Sequence, residues 1–219
     1  MFNIFLSTSF CFIIHKLAKY MPINNNNNFY QNIITCIIFQ LLFIYNSAKL
    51  TYQGLLNNDN SQSIILKNDT FQNLDFLTGY FVYDILYLLK TNYFSPFLIH
   101  HFISILILHF IKSFSISTNL IWLYNALCFI GESTNPIINM RYLTKNTNYY
   151  NFNIKLIYYT YLVIRIILFP SFSYLFFVSI HNNINKFTYN SLKIMFCMIY
   201  FMSCYWFKKI YFMKSKINK

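Results

Sequence analysis

The sequence predicts an all-α, polytopic transmembrane helix bundle with six to seven spans. Hydrophobic residues make up 57% of the 219 residues and charged residues only 10%, against about 25% charged in an ordinary soluble domain. The apolar residues come in long blocks separated by short polar stretches, as expected of helices of about 20 residues that cross a hydrocarbon layer about 30 Å thick. These observations exclude a soluble globular domain.

Seven apolar blocks can be marked along the chain. They cover residues 2–14, 29–48, 74–89, 97–111, 120–139, 154–180 and 192–212. The first block is short for a span, and Lys16 and Lys19 follow it rather than precede it, so it lacks the charged start of a secretory signal. Whether this truncated first helix crosses the membrane stays open. The expected organisation is a short apolar segment with an Asn-rich linker over 1–28, a transmembrane domain over 29–212 and a basic cytosolic tail over 213–219.

The distribution of charge predicts an orientation. The chain has 17 Lys and Arg against five acids, a formal net charge of +12. The basic residues lie between and after the apolar blocks rather than in one patch, which indicates membrane lipids and not nucleic acid as partners. Seven alternating spans with the N-terminus outside place five basic residues outside and eleven inside: Lys16, Lys19, Lys90, Arg141, Lys145, Lys155, Lys208, Lys209, Lys214, Lys216 and Lys219.

Two consequences follow from this orientation. The positive-inside rule places the C-terminus in the cytosol. The sequon Asn68-Asp69-Thr70 then falls in a lumenal loop, where Asn68 would be a glycosylation acceptor.

The cysteines and histidines do not indicate a metal site. The five cysteines lie inside apolar blocks without a C-x-x-C pair, so neither a disulfide framework nor a zinc knuckle is expected. Five histidines with one adjacent pair cannot supply the repeated histidine boxes of a membrane di-iron enzyme. No metal and no resident cofactor are predicted.

Ionisable residues inside the apolar blocks are the first candidates for function. Asp84 and Glu132 each cost roughly 2.5 to 3.5 kcal/mol in a span. Tyr80 lies one turn before Asp84 and could donate a hydrogen bond to it. His100 and His101 open the fourth block, and adjacent helical side chains point about 100° apart, so one can face the interior and the other a second neighbour. Each acid is either part of a working site or half of a structural pair.

The fifth block carries a polar stripe at helical spacing, formed by Asn125, Cys128, Glu132, Asn135 and Asn139. It must face other helices or a wet cavity, because a lipid-facing stripe would be intolerable. Pro136 is expected to kink this helix beside Glu132. Arg165, the one cation deep inside a block, is expected to pair with Glu132 or Asp84.

These residues form two groups of candidates. The catalytic candidates are Asp84, His100, His101 and Glu132. The substrate-binding candidates are Tyr80, Asn125, Asn135, Asn139 and Arg165. The predicted orientation puts all four catalytic candidates in the cytosolic half, so we expect Asp84, His101 and Glu132 to share one polar cavity, with His100 as a further candidate.

The same residues resemble the TLC-domain family of membrane proteins, which includes ceramide synthases, the translocating-chain-associating protein and several lipid-homeostasis proteins. The resemblance covers about residues 29–212, and its carriers are Gly79-Tyr80, Asp84, His100-His101, Gly131-Glu132-Ser133-Thr134-Asn135-Pro136, Asn139 and Arg141-Tyr142. Ceramide synthases follow their paired histidines with paired aspartates in the next polar span, which this chain lacks. It is therefore most similar to the small TLC domain-containing proteins.

The resemblance implies an integral protein of the endoplasmic reticulum or another secretory-pathway membrane with a role in lipid homeostasis. The leading hypothesis is a polar intramembrane cavity that holds a lipid or acyl chain. An acyl-CoA-dependent acyltransferase is the alternative, with acyl-CoA as co-substrate, and a seven-span transporter or receptor is a further one. Which lipid is bound and whether the chain self-associates stay open.

Overall fold

The computed structural model describes residues 2–20, 28–56, 60–91, 96–113 and 118–217, and the side chains of 2, 60–66, 113 and 118–122 are outside the description. These residues are almost all helical, without a β-strand. The helices are α1 Phe2–Ala18, α2 Asn28–Leu56, α3 Asn60–Lys90, α4 Pro96–Ser113, α5 Thr118–Glu132, α6 Asn135–Thr144, α7 Tyr150–Tyr161, a π-helical segment Leu162–Leu168, α8 Phe169–Ile180 and α9 Lys186–Ile217. The predicted all-α bundle is confirmed.

Two helical rods among the described residues are long and apolar enough to cross a membrane, Asn28–Leu56 and Tyr150–Ile180. Asn3–Ala18 and Pro96–Lys112 are shorter apolar helices. Only 28% of the most apolar stretch of Tyr150–Ile180 is buried inside the protein. An apolar helix in the core of a soluble protein would be mostly buried, so this exposure favours a lipid-facing surface. The six to seven spans stay a prediction.

The helix α3 is much longer than the apolar block that predicted it. It begins at Asn60, so the sequon lies inside a helix and the prediction of a loop there is wrong. No Gly or Pro occurs between Gly54 and Gly79, so nothing in the sequence breaks the helix. The Asn68 side chain is exposed, whereas Thr70 is fully buried and its hydroxyl has no hydrogen-bond partner among the described residues.

The fifth apolar block divides into α5 and α6 at Ser133 and Thr134. Pro136 has no N–H for the carbonyl of Glu132, four residues earlier, so the regular helix cannot continue through this point. The chain resumes helical hydrogen bonding when Ile138 N donates to Thr134 O at 3.1 Å. The predicted disruption beside Glu132 is confirmed, and it takes the form of a break of two residues.

The rod from α7 to α8 contains a second irregularity that the sequence analysis did not predict. Residues Leu162–Leu168 form a π-helix with Arg165 at its centre. Pro170 cannot donate to the carbonyl of Ile166, and the Tyr200 hydroxyl lies 3.5 Å from that carbonyl oxygen and donates to it. Insertions of this kind in helices are frequent at functional sites.

The helices pack around a large apolar core, and a second, smaller apolar cluster lies between α7 and α9. The helix α1 lies against α3 and α2, α2 also contacts α5 and α6, and α9 packs on α4, α7 and α8. The buried core is centred on α2, α3, α4, α5 and α8. Lys112 at the end of α4 forms an ion pair with Asp75 in the middle of α3, and His101 near the start of α4 contacts Asp84 further along α3, so these two helices are antiparallel.

The helices α1 and α3 approach each other most closely at Gly79. A methyl group on its Cα would lie 2.5 Å from Ser7 Cβ and 2.8 Å from the Ile4 carbonyl oxygen. The Ser7 hydroxyl donates to the Phe76 carbonyl at 2.7 Å, and the Thr8 hydroxyl lies 3.1 Å from the Gly79 carbonyl oxygen. Small residues at such contacts let membrane helices approach closely. Gly79 is therefore a close-approach position, which gives the Gly79-Tyr80 motif a structural reason.

We predict that Gly79→Ala lowers the free energy of unfolding by about 1–3 kcal/mol, because the added methyl overpacks the contact between α1 and α3. Unfolding in detergent micelles, followed by circular dichroism, measures it. Gly131→Ala is the matched control: a methyl there meets only Phe169 Cε2, at 3.8 Å. That control should be neutral or slightly stabilising, since Ala favours helix over Gly. Equal stability of the two variants would contradict the close approach.

Candidate functional site

Asp84 and His101 form a buried acid–histidine pair between α3 and α4. Asp84 Oδ2 lies 2.7 Å from His101 Nε2, and the two residues are 7% and 4% exposed. Asp84 Oδ1 accepts a hydrogen bond from Asn32 Nδ2 at 3.3 Å and lies 3.9 Å from the Cys36 thiol. Both carboxyl oxygens therefore have partners, as a buried acid requires.

The two adjacent histidines face different neighbours. The His101 ring stacks on Phe81, with ring centroids 4.8 Å apart. The His100 ring packs edge-on against Trp206 of α9 at 5.5 Å. Within the described part of the chain, Nδ1 of each histidine is buried without a hydrogen-bond partner. One ring nitrogen of each imidazole therefore has no hydrogen bond within these residues.

Arg165 and Glu132 are joined through Asn135 rather than directly. Arg165 Nη2 donates to Asn135 Oδ1 at 3.0 Å, and Asn135 Nδ2 donates to Glu132 Oε2 at 2.7 Å. Arg165 Nε also donates to Thr134 Oγ1 at 3.1 Å. The predicted direct ion pair of Arg165 is wrong for the described residues, because an amide, which both donates and accepts, lies between the charges. One amide thus links the Glu132 carboxyl to the Arg165 guanidinium.

Tyr80 belongs to a neighbouring chain of hydrogen bonds. Its hydroxyl accepts from Gln40 Nε2 at 3.1 Å, and Gln40 Oε1 accepts from Asn139 Nδ2 at 3.2 Å. The structure shows no hydrogen bond from Tyr80 to Asp84, so the expectation that Tyr80 donates to Asp84 is wrong. The carboxyl oxygens of Asp84 instead contact His101 and Asn32. Tyr80 instead connects α3 to α6 through α2.

Asn125 lies outside this group. Its Oδ1 accepts from Asn73 Nδ2 at 3.0 Å, and its Nδ2 donates to the Ser47 carbonyl at 2.9 Å and the Thr51 hydroxyl at 3.1 Å. Asn125 and Glu132 are seven residues apart on α5, which is about 10 Å along a helix. The polar stripe therefore faces other helices, as predicted, but its members belong to separate networks.

A narrow pocket of about 50 Å³ lies beside the acid–histidine pair. Its polar end is formed by His100, Glu132 and Arg165, and its apolar wall includes Phe81, Leu108, Tyr124, Leu127, Phe196 and Ile199. Asp84 and His101 lie behind the wall, where the His101 ring centroid is 5.4 Å from that of His100. The single cavity expected for Asp84, His101 and Glu132 is thus divided: Glu132 lines the pocket, and the pair supports it from behind. No group of three or more potential metal ligands occurs in the residues that the structure describes.

Residues of α2 complete the site, and the sequence analysis did not find them. Three polar residues recur every four positions on one face of this helix: Asn32, Cys36 and Gln40. Asn32 and Cys36 contact Asp84, and Gln40 contacts Tyr80. Their spacing in an otherwise apolar block was the available signal. It is weaker than that of a carboxylate because a neutral polar side chain costs less in lipid.

A bundle of apolar helices with buried polar networks and an outward-facing apolar surface defines a helical membrane protein. The family model of the TLC domain matches residues 1–211, so the chain belongs to the TLC-domain family. This family implies a membrane protein involved in lipid metabolism or sensing. No curated protein and no solved structure matches the chain significantly. The resemblance noted in the sequence begins at about residue 29, whereas the family model begins at residue 1 and therefore includes α1.

We predict that Arg165→Met lowers the free energy of unfolding by about 3 kcal/mol, because it leaves Glu132 without a nearby cation and Asn135 Oδ1 without a donor. Adding Glu132→Gln should recover part of this loss. Unfolding in mixed micelles measures the double-mutant cycle. Arg141→Met is the matched control, because Arg141 contacts the Tyr142 ring and Met213 in a part-buried position. Equal losses at both arginines would contradict the role given to Arg165.

Proposed function

We propose that the protein is a multi-pass membrane protein of lipid homeostasis, in the endoplasmic reticulum or another secretory-pathway membrane. Its pocket takes the polar end of a lipid at His100, Glu132 and Arg165. The adjoining hydrocarbon chain lies along the apolar wall. Membership of the TLC-domain family supports the link to lipids.

The observation that carries this proposal is the unpartnered nitrogen of His100. This residue is 5% exposed, lines the pocket, and has a buried Nδ1 without a partner among the described residues. A buried polar atom left unpaired costs about 1–3 kcal/mol, which a bound head group offsets by supplying a hydrogen bond. The wall next to it is almost wholly apolar, which suits an acyl chain.

The polar end also restricts the head group. It contains one guanidinium and one carboxyl group, which offset each other through Asn135. An extra charge in this buried region would need a partner of its own. A head group that both donates and accepts hydrogen bonds without a net charge, such as a hydroxyl or an amide, therefore fits best.

The test uses Gly131, which lines the pocket and where an added Cβ would lie 3.8 Å from Phe169 Cε2, an ordinary contact distance. We predict that Gly131→Val reduces the amount of co-purified lipid severalfold, because it adds three carbon atoms to the lining. Lipids extracted from protein in nanodiscs are measured by mass spectrometry. Ser171→Val is the control, since Ser171 is exposed on α8. Unchanged lipid in a folded Gly131→Val protein would reject the pocket as the binding site.

The second candidate function is an acyl-CoA-dependent acyltransferase, and the Asp84–His101 pair favours it. When an acid binds one nitrogen of an imidazole, the other nitrogen can take a proton from an acceptor. Here His101 would take that proton either directly or through His100. In such a reaction the base removes the proton of an acceptor hydroxyl or amine. The acceptor then forms a bond to the acyl carbon, and the thiolate of coenzyme A leaves and is protonated.

We predict, for this second function, that purified protein transfers label from acyl-CoA to at least one lipid of a panel of hydroxyl and amine acceptors. His100→Ala and His101→Ala should reduce turnover at least about 100-fold, the lower range for removal of general-base catalysis. Asp84→Asn should act in the same direction. If the unmodified protein shows no more turnover than the two histidine variants, the acyltransferase function is excluded and lipid binding is left as the function.

A further inference from the structure

A chain of side-chain hydrogen bonds joins α1 to the Asp84–His101 pair. His15 Nδ1 lies 2.8 Å from the Tyr83 hydroxyl, and that hydroxyl donates to Asn32 Oδ1 at 2.8 Å. Asn32 Nδ2 then donates to Asp84 Oδ1 at 3.3 Å, and Asp84 Oδ2 lies 2.7 Å from His101 Nε2. Four contacts thus connect five residues on four helices.

The chain has a fixed direction. Tyr83 has a single hydroxyl proton, and Asn32 Oδ1 can only accept, so Tyr83 donates to Asn32 and must accept from His15. His15 therefore carries its proton on Nδ1. If Asn32 turned its amide over, its oxygen would face an oxygen of Asp84, so the contact with Asp84 fixes the orientation of the amide. That orientation in turn fixes the direction of the Tyr83 hydroxyl and the tautomer of His15.

The chain holds Asp84 in one orientation. His101 occupies Oδ2, and Asn32 is the close partner of Oδ1, where the only other contact in the described residues is the Cys36 thiol at 3.9 Å. If Asn32 loses Tyr83, its amide is free to rotate, and Asp84 loses the N–H that fixes its rotation. Residues that hydrogen-bond to the carboxylate partner of a histidine help to set the tautomer and the ring orientation of that histidine.

The outer end of the chain is at the edge of the bundle. His15 is half-buried, three residues before the end of α1, and its ring packs on Tyr87 with centroids 5.7 Å apart. Asn32, Tyr83, Asp84 and His101 are all buried. A residue at the periphery is therefore linked to a buried polar pair in the interior of the bundle.

We infer that His15, Tyr83 and Asn32 are positioning residues for the Asp84–His101 pair, and that α1 is part of the functional site through His15. The inference concerns this same site but does not depend on which lipid it binds. It gives α1 a role beyond packing, although its apolar block is the shortest of the chain.

The test compares two tyrosines on α3. We predict that Tyr83→Phe shifts the ¹⁵N resonances of the His101 imidazole in protein held in nanodiscs, because Asp84 loses its fixed orientation. Tyr87→Phe is the matched control: it removes the same atom one turn later, beside the same His15 ring. The His101 signals are assigned by their loss in His101→Gln. Unchanged His101 signals in a folded Tyr83→Phe protein would overturn the inference.

A second pair of variants covers the case in which Tyr83→Phe does not fold. His15→Asn keeps a polar atom near the position of Nδ1 and should preserve the His101 signals, whereas His15→Leu should shift them. Equal spectra for these two variants would also overturn the inference. This experiment measures the position of His101 and involves no lipid measurement. The Gly131 experiment measures the contents of the pocket, so a failure of one is distinct from a failure of the other.

Discussion

A hydrocarbon layer offers no partners to polar side chains, so those inside this bundle depend on partners within the protein. Most of the buried polar groups meet this constraint by forming small networks, each spanning several helices, and Nδ1 of His100 and of His101 are among the exceptions in the described residues. Asp84 joins α2, α3 and α4; Arg165 joins the π-helical segment to the start of α6; Asn125 joins α5 to α2 and α3. The polar networks help to specify which helix lies beside which, because hydrogen bonds need particular partners. The close approach of α1 and α3 at Gly79 contributes in the same way through packing.

The constraint also explains what the sequence could predict. The blocks of apolar residues predicted the helices, and the cost of a carboxylate in lipid correctly singled out Asp84 and Glu132 as residues with buried partners. The same reasoning placed Asp84, His101 and Glu132 in one cavity, and of these three only Asp84 and His101 are in direct contact. Helix ends were predicted less well. The helix α3 starts far upstream of its apolar block, because a helix continues until something breaks it, whereas hydropathy reports only where it is apolar.

The connections that the sequence did not predict run mostly through amides. Asn135 stands between Glu132 and Arg165, Gln40 between Tyr80 and Asn139, and Asn32 between Tyr83 and Asp84. A primary amide donates at one atom and accepts at the other, so it can link two groups that do not touch. In an Asn-rich chain such residues carry little individual signal. Their role is decided by which helices meet, and a single sequence does not contain that information.

Two prolines show how backbone and side-chain constraints are combined. Pro136 removes the hydrogen bond of the Glu132 carbonyl, and Pro170 removes that of Ile166, the residue after Arg165. Each irregularity thus lies about one turn from a charged side chain. Beside Glu132 it is a two-residue gap between helices, and around Arg165 it is a π-helical segment. Irregular backbone is tolerated at membrane depth only where protein covers it, and Tyr200 supplies that cover at Ile166. The same packing that satisfies the freed carbonyl keeps Arg165 buried and directed at Asn135. The irregular backbone and the charged residues therefore require each other, because neither is stable on a lipid-facing surface. Their coincidence at one place supports the site that we propose there, together with the unpartnered nitrogen of His100 in the same pocket.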